Sequence, residues 1–244
     1  MPPVIFALAP IALLAYTGEA LTGFGATLVA VTLGAHFYPI DHLVPVAVSL
    51  NVFVTGYIAV RHRSHIARDL LLRRVLPFMG LGLLSGLALY PLLRGVALKQ
   101  LLGVMVVAVS VRELYLLLTR TPRAGKTLSV LGAWVWQFLA GVMHAFYATG
   151  GPLLVYSVSR LQLSKSAFRA TLCTVWFTLN AFLIVAFSVN GRINPASLEV
   201  TAFLLPVLPI GILLGEWLHG RIQERHFRVF IYALLLASGV KLLV

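Results

Sequence analysis

Apolar residues form long runs along the whole chain, and short stretches between the runs hold most of the charges. Most runs are close to the roughly 20 residues that an α-helix needs to cross a hydrocarbon core about 30 Å thick. The short alternating segments that are typical of an outer-membrane barrel are not seen. The pattern therefore predicts an all-α integral membrane protein. The apolar runs are 4–38, 42–60, 75–93, 98–118, 128–158, 167–189, 198–219 and 227–243.

Two of these runs, 4–38 and 128–158, are too long for one comfortable span and too short for two full spans with a turn. Each run contains a glycine-rich break. The first break reads "ALTGFGATL" (Ala20 to Leu28), and the second reads "YATGGPLL" (Tyr147 to Leu154). Such breaks are typical of the half-helices of transporters. We expect each long run to form a re-entrant hairpin or a pair of short helices.

The two halves of the chain share a pattern of glycine, proline and basic residues. Gly25 and Gly150 are 125 positions apart, and a second series of matches follows without gaps. We interpret the chain as two copies of one unit, with a first repeat at 1–119, a linker at 120–127 and a second repeat at 128–244. The ungapped matches, spaced by 129 positions, are Leu76-Pro77 with Leu205-Pro206, Gly82 with Gly211, Gly86 with Gly215, Lys99 with Arg228, and Arg112 with Lys241.

The distribution of Lys and Arg predicts how the two copies lie in the membrane. If each long run crosses an even number of times, one side collects fourteen Lys and Arg residues and the other side keeps four. This bias obeys the positive-inside rule, so we expect a cytoplasmic linker and both chain ends outside the cytoplasm. Each repeat is then a glycine-broken hairpin followed by three transmembrane helices. An odd number of crossings inverts the second copy and brings the two broken tips together near mid-membrane.

Composition supports a membrane protein and excludes several other classes. Of the 244 residues 60% are apolar and 11% are charged, and the net charge is +12. The basic residues lie in short loops, where they meet lipid headgroups, so nucleic acid is not an expected partner. Cys173 is the single cysteine, which excludes an intrachain disulfide and a cysteine metal cluster. The first residues lack the basic region and cleavage site of a signal peptide, so we expect them to remain in the mature protein.

Glu19 and His144 are candidate proton-coupling residues. They are 125 positions apart, and each precedes its break by six residues, so the repeat places them in equivalent positions. An ionisable side chain at this depth is costly unless it is paired, neutralised or hydrated, and it marks a pathway or a proton site by default. The alternative is a structural one, in which Glu19 and His144 form a hydrogen-bonded pair that locks the two tips together.

The breaks themselves are candidate substrate-binding segments. Backbone groups that a break exposes cannot face lipid, so they line a cavity or are buried in protein. A helix that starts at such a break presents N–H donors and a partial positive charge, which suits an oxyanion. The alternative is that the glycines only permit close helix packing, and that polar side chains on the spans only join helices. The candidate substrate-binding residues are Gly23, Gly25, Asn51, Thr149, Gly150, Gly151, Pro152, Arg169 and Asn180.

The phrase "GVMHAFYATGGPLLVYSVSRLQLSKSAFRATL" (Gly141 to Leu172) resembles the second-repeat signature of the sulfite exporter TauE/SafE family, also called the toluene sulfonate uptake permease family. "TGFGATLVAVTLGAHFYPIDHLVPVAVSLNVF" (Thr22 to Phe53) is similar to the first-repeat signature. The resemblance covers essentially the whole chain. Ala26 and Thr149 depart from the pattern. The resemblance implies a permease of the bacterial cytoplasmic membrane for sulfite, sulfonates or related anions, with these matching residues: Gly23, Gly25, Gly150, Gly151, Pro152 and Arg169.

The resulting hypothesis is a secondary transporter that exports a small anion such as sulfite or an organosulfonate, with proton coupling by Glu19 and His144. The sequence contains no nucleotide-binding motif of the G-x-x-x-x-G-K-[ST] type, so energy is expected from a gradient. We expect no catalytic residues, no metal and no cofactor. A membrane subunit or assembly factor without transport of its own is the alternative. The oligomeric state, including a homo-oligomer, stays open.

Overall fold

A computed structural model describes residues 4–92, 96–119, 128–158, 161, 163–219, 221 and 224–243. The regular structure of these residues is entirely helical, as the apolar runs predict. Short 3-10 turns occupy Arg63–His65 and Tyr90–Leu92, and a π-helical turn spans Leu71–Val75. The helices are α1 Val4–Thr22, α2 Ala26–Gly34, α3 Ile40–Arg61, α4 Arg68–Leu70, α5 Leu76–Leu89, α6 Val96–Leu118, α7 Val130–Tyr147, α8 Gly151–Val158, α9 Lys165–Val189, α10 Pro195–Leu204, α11 Val207–His219 and α12 Glu224–Leu243.

Six helical segments of the described chain are long and apolar enough to cross a membrane. A seventh span results if α10 and α11, which meet at a 44° bend, are counted as one. The bend falls at Leu205-Pro206, where proline removes a backbone donor and interrupts the helix. The chain is therefore a multi-pass membrane protein. The six segments are Ile40–Arg61, Arg68–Leu92, Leu98–Leu118, Val130–Tyr147, Lys165–Val189 and Arg225–Leu243.

Both long apolar runs are broken where the sequence predicts. In the first run, α1 ends at Thr22 and α2 begins at Ala26, with Gly23 at a φ of 86° and Gly25 at a φ of 101°. In the second run, α7 ends at Tyr147 and α8 begins at Gly151. Each run is thus a longer helix followed by a shorter one. The path of these pairs across the membrane stays a prediction.

One close helix contact occurs twice, with the partners exchanged between the halves. α5 packs on α7, and a Cβ atom added to Gly86 would lie 2.6 Å from the Cβ atom of Ala145. α11 packs on α1, and a Cβ atom added to Gly215 would lie 2.5 Å from the Cβ atom of Ala20. These residues obey the same spacings of 129 and 125 positions that the sequence shows. Each half therefore packs its glycine-bearing helix against the broken pair of the other half.

A duplicated unit would produce this exchange, and the duplication, the inverted orientation and the repeat boundaries at 119 and 128 all stay predictions. The predicted linker at 120–127 lies outside the described residues. Between the two broken pairs, α3 packs along α9, and α6 packs along α12. Arg228 on α12 donates to Glu113 on α6 at 2.9 Å, and both side chains are buried. The α3 and α9 pair positions the central polar side chains.

Candidate functional site

Four buried polar side chains form a continuous hydrogen-bonded chain from one helix break to the other. Asn51 Nδ2 donates to Glu19 Oε2 at 3.0 Å, and Asn180 Nδ2 donates to Asn51 Oδ1 at 2.8 Å. His144 Nε2 lies 3.0 Å from Asn180 Oδ1. All four residues are at most 2% exposed. Glu19 and His144, which the sequence pairs by spacing, are therefore joined through the two asparagines and not by a direct hydrogen bond. We call these four residues the relay.

The first break already contains a carboxylate at its helix start. Glu19 Oε2 also accepts the backbone N–H of Ala26, the first residue of α2, at 2.8 Å. A carboxylate in this position caps the orphan donors of the helix and interacts favourably with its dipole. The N–H of Gly23 is also used, because it donates to the carbonyl oxygen of Glu19 at 2.7 Å. An anionic ligand would have to compete with Glu19 at this helix start.

The second break presents a different helix start. No acidic residue occupies the first turn of α8, and the residue 125 positions after Glu19 is His144. The N–H groups of Gly151 and Leu153 belong to the first turn of α8, where no carbonyl group of the same helix can accept them. Pro152, in the same turn, has no N–H group. Among the described residues, His144 Nδ1 is a buried atom without a hydrogen-bond partner. The second break therefore offers donors, a helix dipole and an unpaired ring nitrogen to a ligand.

A small cavity lies between the breaks. Its volume is about 10 Å³, close to the space that one water molecule requires. The cavity is too small in this conformation for an ion with several heavy atoms, which would enter only after the breaks move apart. Seven of the predicted site residues line the cavity together with three others. The lining residues are Glu19, Gly25, Thr27, Asn51, His144, Ala148, Thr149, Gly151, Trp176 and Asn180.

Thr27, Ala148 and Trp176 are cavity residues that the sequence analysis did not single out as site residues. Thr27 Oγ1 donates to the carbonyl oxygen of Ala148 at 2.5 Å and so joins the two breaks. Ala148 has a φ of 53°, and it lies 125 positions after Gly23, which has the same left-handed conformation. This spacing is the signal that could have identified Ala148 as a turn residue.

Trp176 connects the first break to the histidine of the second. Its Nε1 atom donates to the carbonyl oxygen of Gly23 at 3.1 Å, and its ring stacks on His144 with centroids 5.5 Å apart. A tryptophan on a span is more often a packing or interfacial residue, so composition alone did not favour a site role. Its spacing of four residues from Asn180, which places both on one face of α9, is a local signal for it.

Four predicted site residues lie beside the cavity and do not line it. Gly23 contributes its carbonyl oxygen to Trp176. Gly150 lies against the backbone of Ala140, where an added Cβ atom would overlap the carbonyl oxygen, so it allows close packing of the break on α7. Pro152 is buried in the first turn of α8. Arg169 points to Glu216 on α11, with Nη2 3.8 Å from Oε1. Their roles in binding stay predictions.

Within the described residues, no group of three or more His, Cys, Asp and Glu side chains could hold a metal ion. The arrangement is instead a buried polar chain between two broken helix pairs, which is typical of secondary transporters. The sequence pattern of the family described as Sulfite exporter TauE/SafE matches residues 8–242. The chain therefore belongs to this family of membrane transporters.

A search of curated proteins supports this assignment. The chain is 30% identical over 105 residues to the "Probable inner membrane transporter protein TsaS" of Comamonas testosteroni. The match covers 43% of this chain and 44% of that protein, so it spans less than half of either sequence. No solved structure matches the chain.

Proposed function

We propose that the protein is a secondary transporter of a small anion such as sulfite or an organosulfonate, and that one proton accompanies each anion. Membership of the TauE/SafE family supports transport of such an anion. The observation that carries the proton coupling is the relay, with His144 Nδ1 unpaired at the start of α8. The anion is placed at the second break, against the N–H groups of Gly151 and Leu153.

The hydrogen-bond directions of the relay follow from the charge of Glu19. An ionised carboxylate only accepts, so the amide nitrogen of Asn51 must face it. The amide oxygen of Asn51 then faces the nitrogen of Asn180, and the oxygen of Asn180 faces Nε2 of His144. His144 Nε2 must therefore carry a proton. In a neutral imidazole Nδ1 then carries no proton, and its lone pair repels an anion.

A bound anion requires a proton on Nδ1, and the relay can supply this state in two ways. In the first, His144 takes up a proton and becomes an imidazolium, while the directions of the relay stay unchanged. In the second, Glu19 takes up a proton and donates to Asn51. Both amides then turn, Asn180 donates to Nε2, and the neutral imidazole carries its proton on Nδ1. Each route adds one proton to the Glu19 and His144 pair.

This requirement couples the anion to a proton in either direction of transport. A monovalent sulfonate would move without net charge, and a divalent sulfite would carry one negative charge. Net flux follows the sum of the anion and proton gradients, so export requires an outward anion gradient that exceeds the opposing proton gradient. Rocking of the two halves about this cavity would expose the site alternately to each side.

The test is internal pH in proteoliposomes that contain the purified protein and face sulfite, sulfoacetate, taurine or toluene sulfonate. We expect one or more of these anions to acidify the interior in the wild type. Glu19→Gln and His144→Ala should abolish the pH change, and the exposed Glu199→Gln should leave it unchanged. Anion movement without pH change in the wild type would overturn the coupling. No anion movement by pure protein would favour the alternative, a subunit or assembly factor of a larger complex.

A further inference from the structure

We infer that the protein has a second anion site at its basic end, in which Glu216 is a built-in carboxylate that the substrate displaces. The site consists of Arg61 at the end of α3, the adjacent His62, Arg169 near the start of α9 and Glu216 on α11. We call these residues the Glu216 cluster. This inference rests on the proposed function, because it assigns the same class of small oxyanion to a position on the path to the relay.

The cluster holds more positive than negative charge. Glu216 Oε1 lies 3.9 Å from Arg61 Nε, 4.0 Å from His62 Nε2 and 3.8 Å from Arg169 Nη2. All three distances exceed that of a hydrogen bond. One carboxylate therefore faces two guanidinium groups and a titratable imidazole without a close bond to any of them. A carboxylate held in this way can leave at low cost.

The buried guanidinium of Arg169 is the second observation that points to a ligand. The Arg169 side chain is only 8% exposed, and among the described residues neither Nε nor Nη2 has a hydrogen-bond partner. These two nitrogens form the planar edge that binds two oxygens of a carboxylate, phosphate or sulfonate at once. His62 Nε2 is likewise buried without a hydrogen-bond partner. A sulfite or sulfonate would satisfy these donors better than Glu216 does at its present distances.

The location of Arg169 connects the cluster to the first helix break. An added Cβ atom on Gly23 would lie 2.9 Å from the Cα atom of Arg169, so the two backbones are in contact. The buried face of α9 continues from Arg169 through Cys173 and Trp176 to Asn180. Arg169 and Asn180 are eleven positions apart, which corresponds to roughly 16 Å of helix at about 1.5 Å per residue. The Glu216 cluster thus lies at one end of the α9 face whose other end belongs to the relay.

The Glu216 side chain is 25% exposed and that of Arg61 is 60% exposed, so the cluster is open at the surface of the protein. The exchange that we infer is simple. The oxyanion binds the Nε and Nη2 edge of Arg169 with His62 beside it, and Glu216 turns toward water. When the anion moves on to the second break, Glu216 returns and neutralises Arg169. Glu216 therefore limits how long the anion stays at the Glu216 cluster.

Equilibrium binding of sulfite and toluene sulfonate to purified protein tests this inference, with His144→Ala as the common background so that every variant lacks the proton on Nδ1 that the central site requires. Adding Glu216→Gln should tighten binding at least about fivefold, the factor for one unit charge about 4 Å away in a high dielectric. Asp69→Asn is the matched control, because Asp69 is an exposed acid of the same basic end that pairs with Arg73. This control should leave the affinity unchanged.

Two further variants separate a specific site from a general charge effect. Arg169→Lys keeps the charge and loses the planar edge, so it should weaken sulfite binding severalfold. Chloride binding should change far less than sulfite binding in every variant. Equal or weaker sulfite binding by the Glu216→Gln protein would overturn the inference, and a gain of affinity cannot result from misfolding. Loss of proton coupling in the transport assay would contradict only the proposed function, because the binding assay does not depend on it.

Discussion

The relay predicts a specific energetic coupling between Asn51 and Asn180. Each side chain makes two hydrogen bonds, and one of these is the bond that they share. Asn51→Leu therefore removes two bonds, Asn180→Leu removes two, and the double variant removes three. Hydrogen bonds between membrane helices contribute roughly 0.6 to 1.7 kcal/mol each. We expect the double variant to lose less free energy of unfolding than the two single variants lose together. The difference should be about the value of one hydrogen bond.

Reversible unfolding in mixed detergent measures the free energies of unfolding of the wild type, the two single variants and the double variant. The control is a second cycle with Thr55→Val and Thr178→Val on the same two helices. Each of these hydroxyl groups bonds a carbonyl oxygen of its own helix, so the two changes should be additive. Both asparagine variants should also lose proton movement in proteoliposomes. An additive asparagine cycle, or retained proton movement in both single variants, would refute the continuous relay.

Three further changes test other parts of the account. Gly86→Ala should lower the free energy of unfolding by about 1 to 3 kcal/mol, because its Cβ atom would lie 2.6 Å from that of Ala145. Gly80→Ala is the control and should leave this free energy unchanged, because an added Cβ atom there meets nothing within 4 Å. Ala148→Gly should raise the free energy of unfolding by about 1 kcal/mol, because Ala148 has a left-handed φ of 53° that glycine adopts without strain. The melting temperature should rise with it, and an unchanged melting temperature would contradict this prediction. The pKa of His62 is lowered first by burial and second by the charge of Arg169. Arg169→Gln should therefore raise this pKa in an NMR titration, whereas Arg169→Lys keeps the charge and should not.

The sequence predicts the helix breaks because their causes are local. A run too long for one span and a cluster of glycines are visible without any tertiary contact, and the 125-residue spacing relates Glu19 to His144 directly. The second spacing, of 129 positions, relates Asn51 to Asn180 in the same way. It cannot show that these four side chains join into one hydrogen-bonded chain, because that result depends on how α3 packs along α9.

The remaining site features depend on contacts between distant segments. Glu216 lies 47 positions after Arg169, and nothing in either local sequence indicates that they meet. Arg169 and Pro152 match the family pattern, yet they lie beside the cavity and do not line it. Glu19 illustrates the same difficulty, because only the folded chain shows that its carboxylate caps α2. The first break is thereby made unlike the second, although the two segments share a pattern of glycines.

The number of protons that move with each anion is the measurement that tests the central claim most directly. Proteoliposomes with a fixed pH difference and a varied anion gradient give this number from the gradient at which net flux stops. We expect one proton for each anion in the wild type and no coupled proton in Glu19→Gln. A flux that stops at equal anion concentrations, whatever the pH difference and with the membrane potential held at zero, would contradict the account.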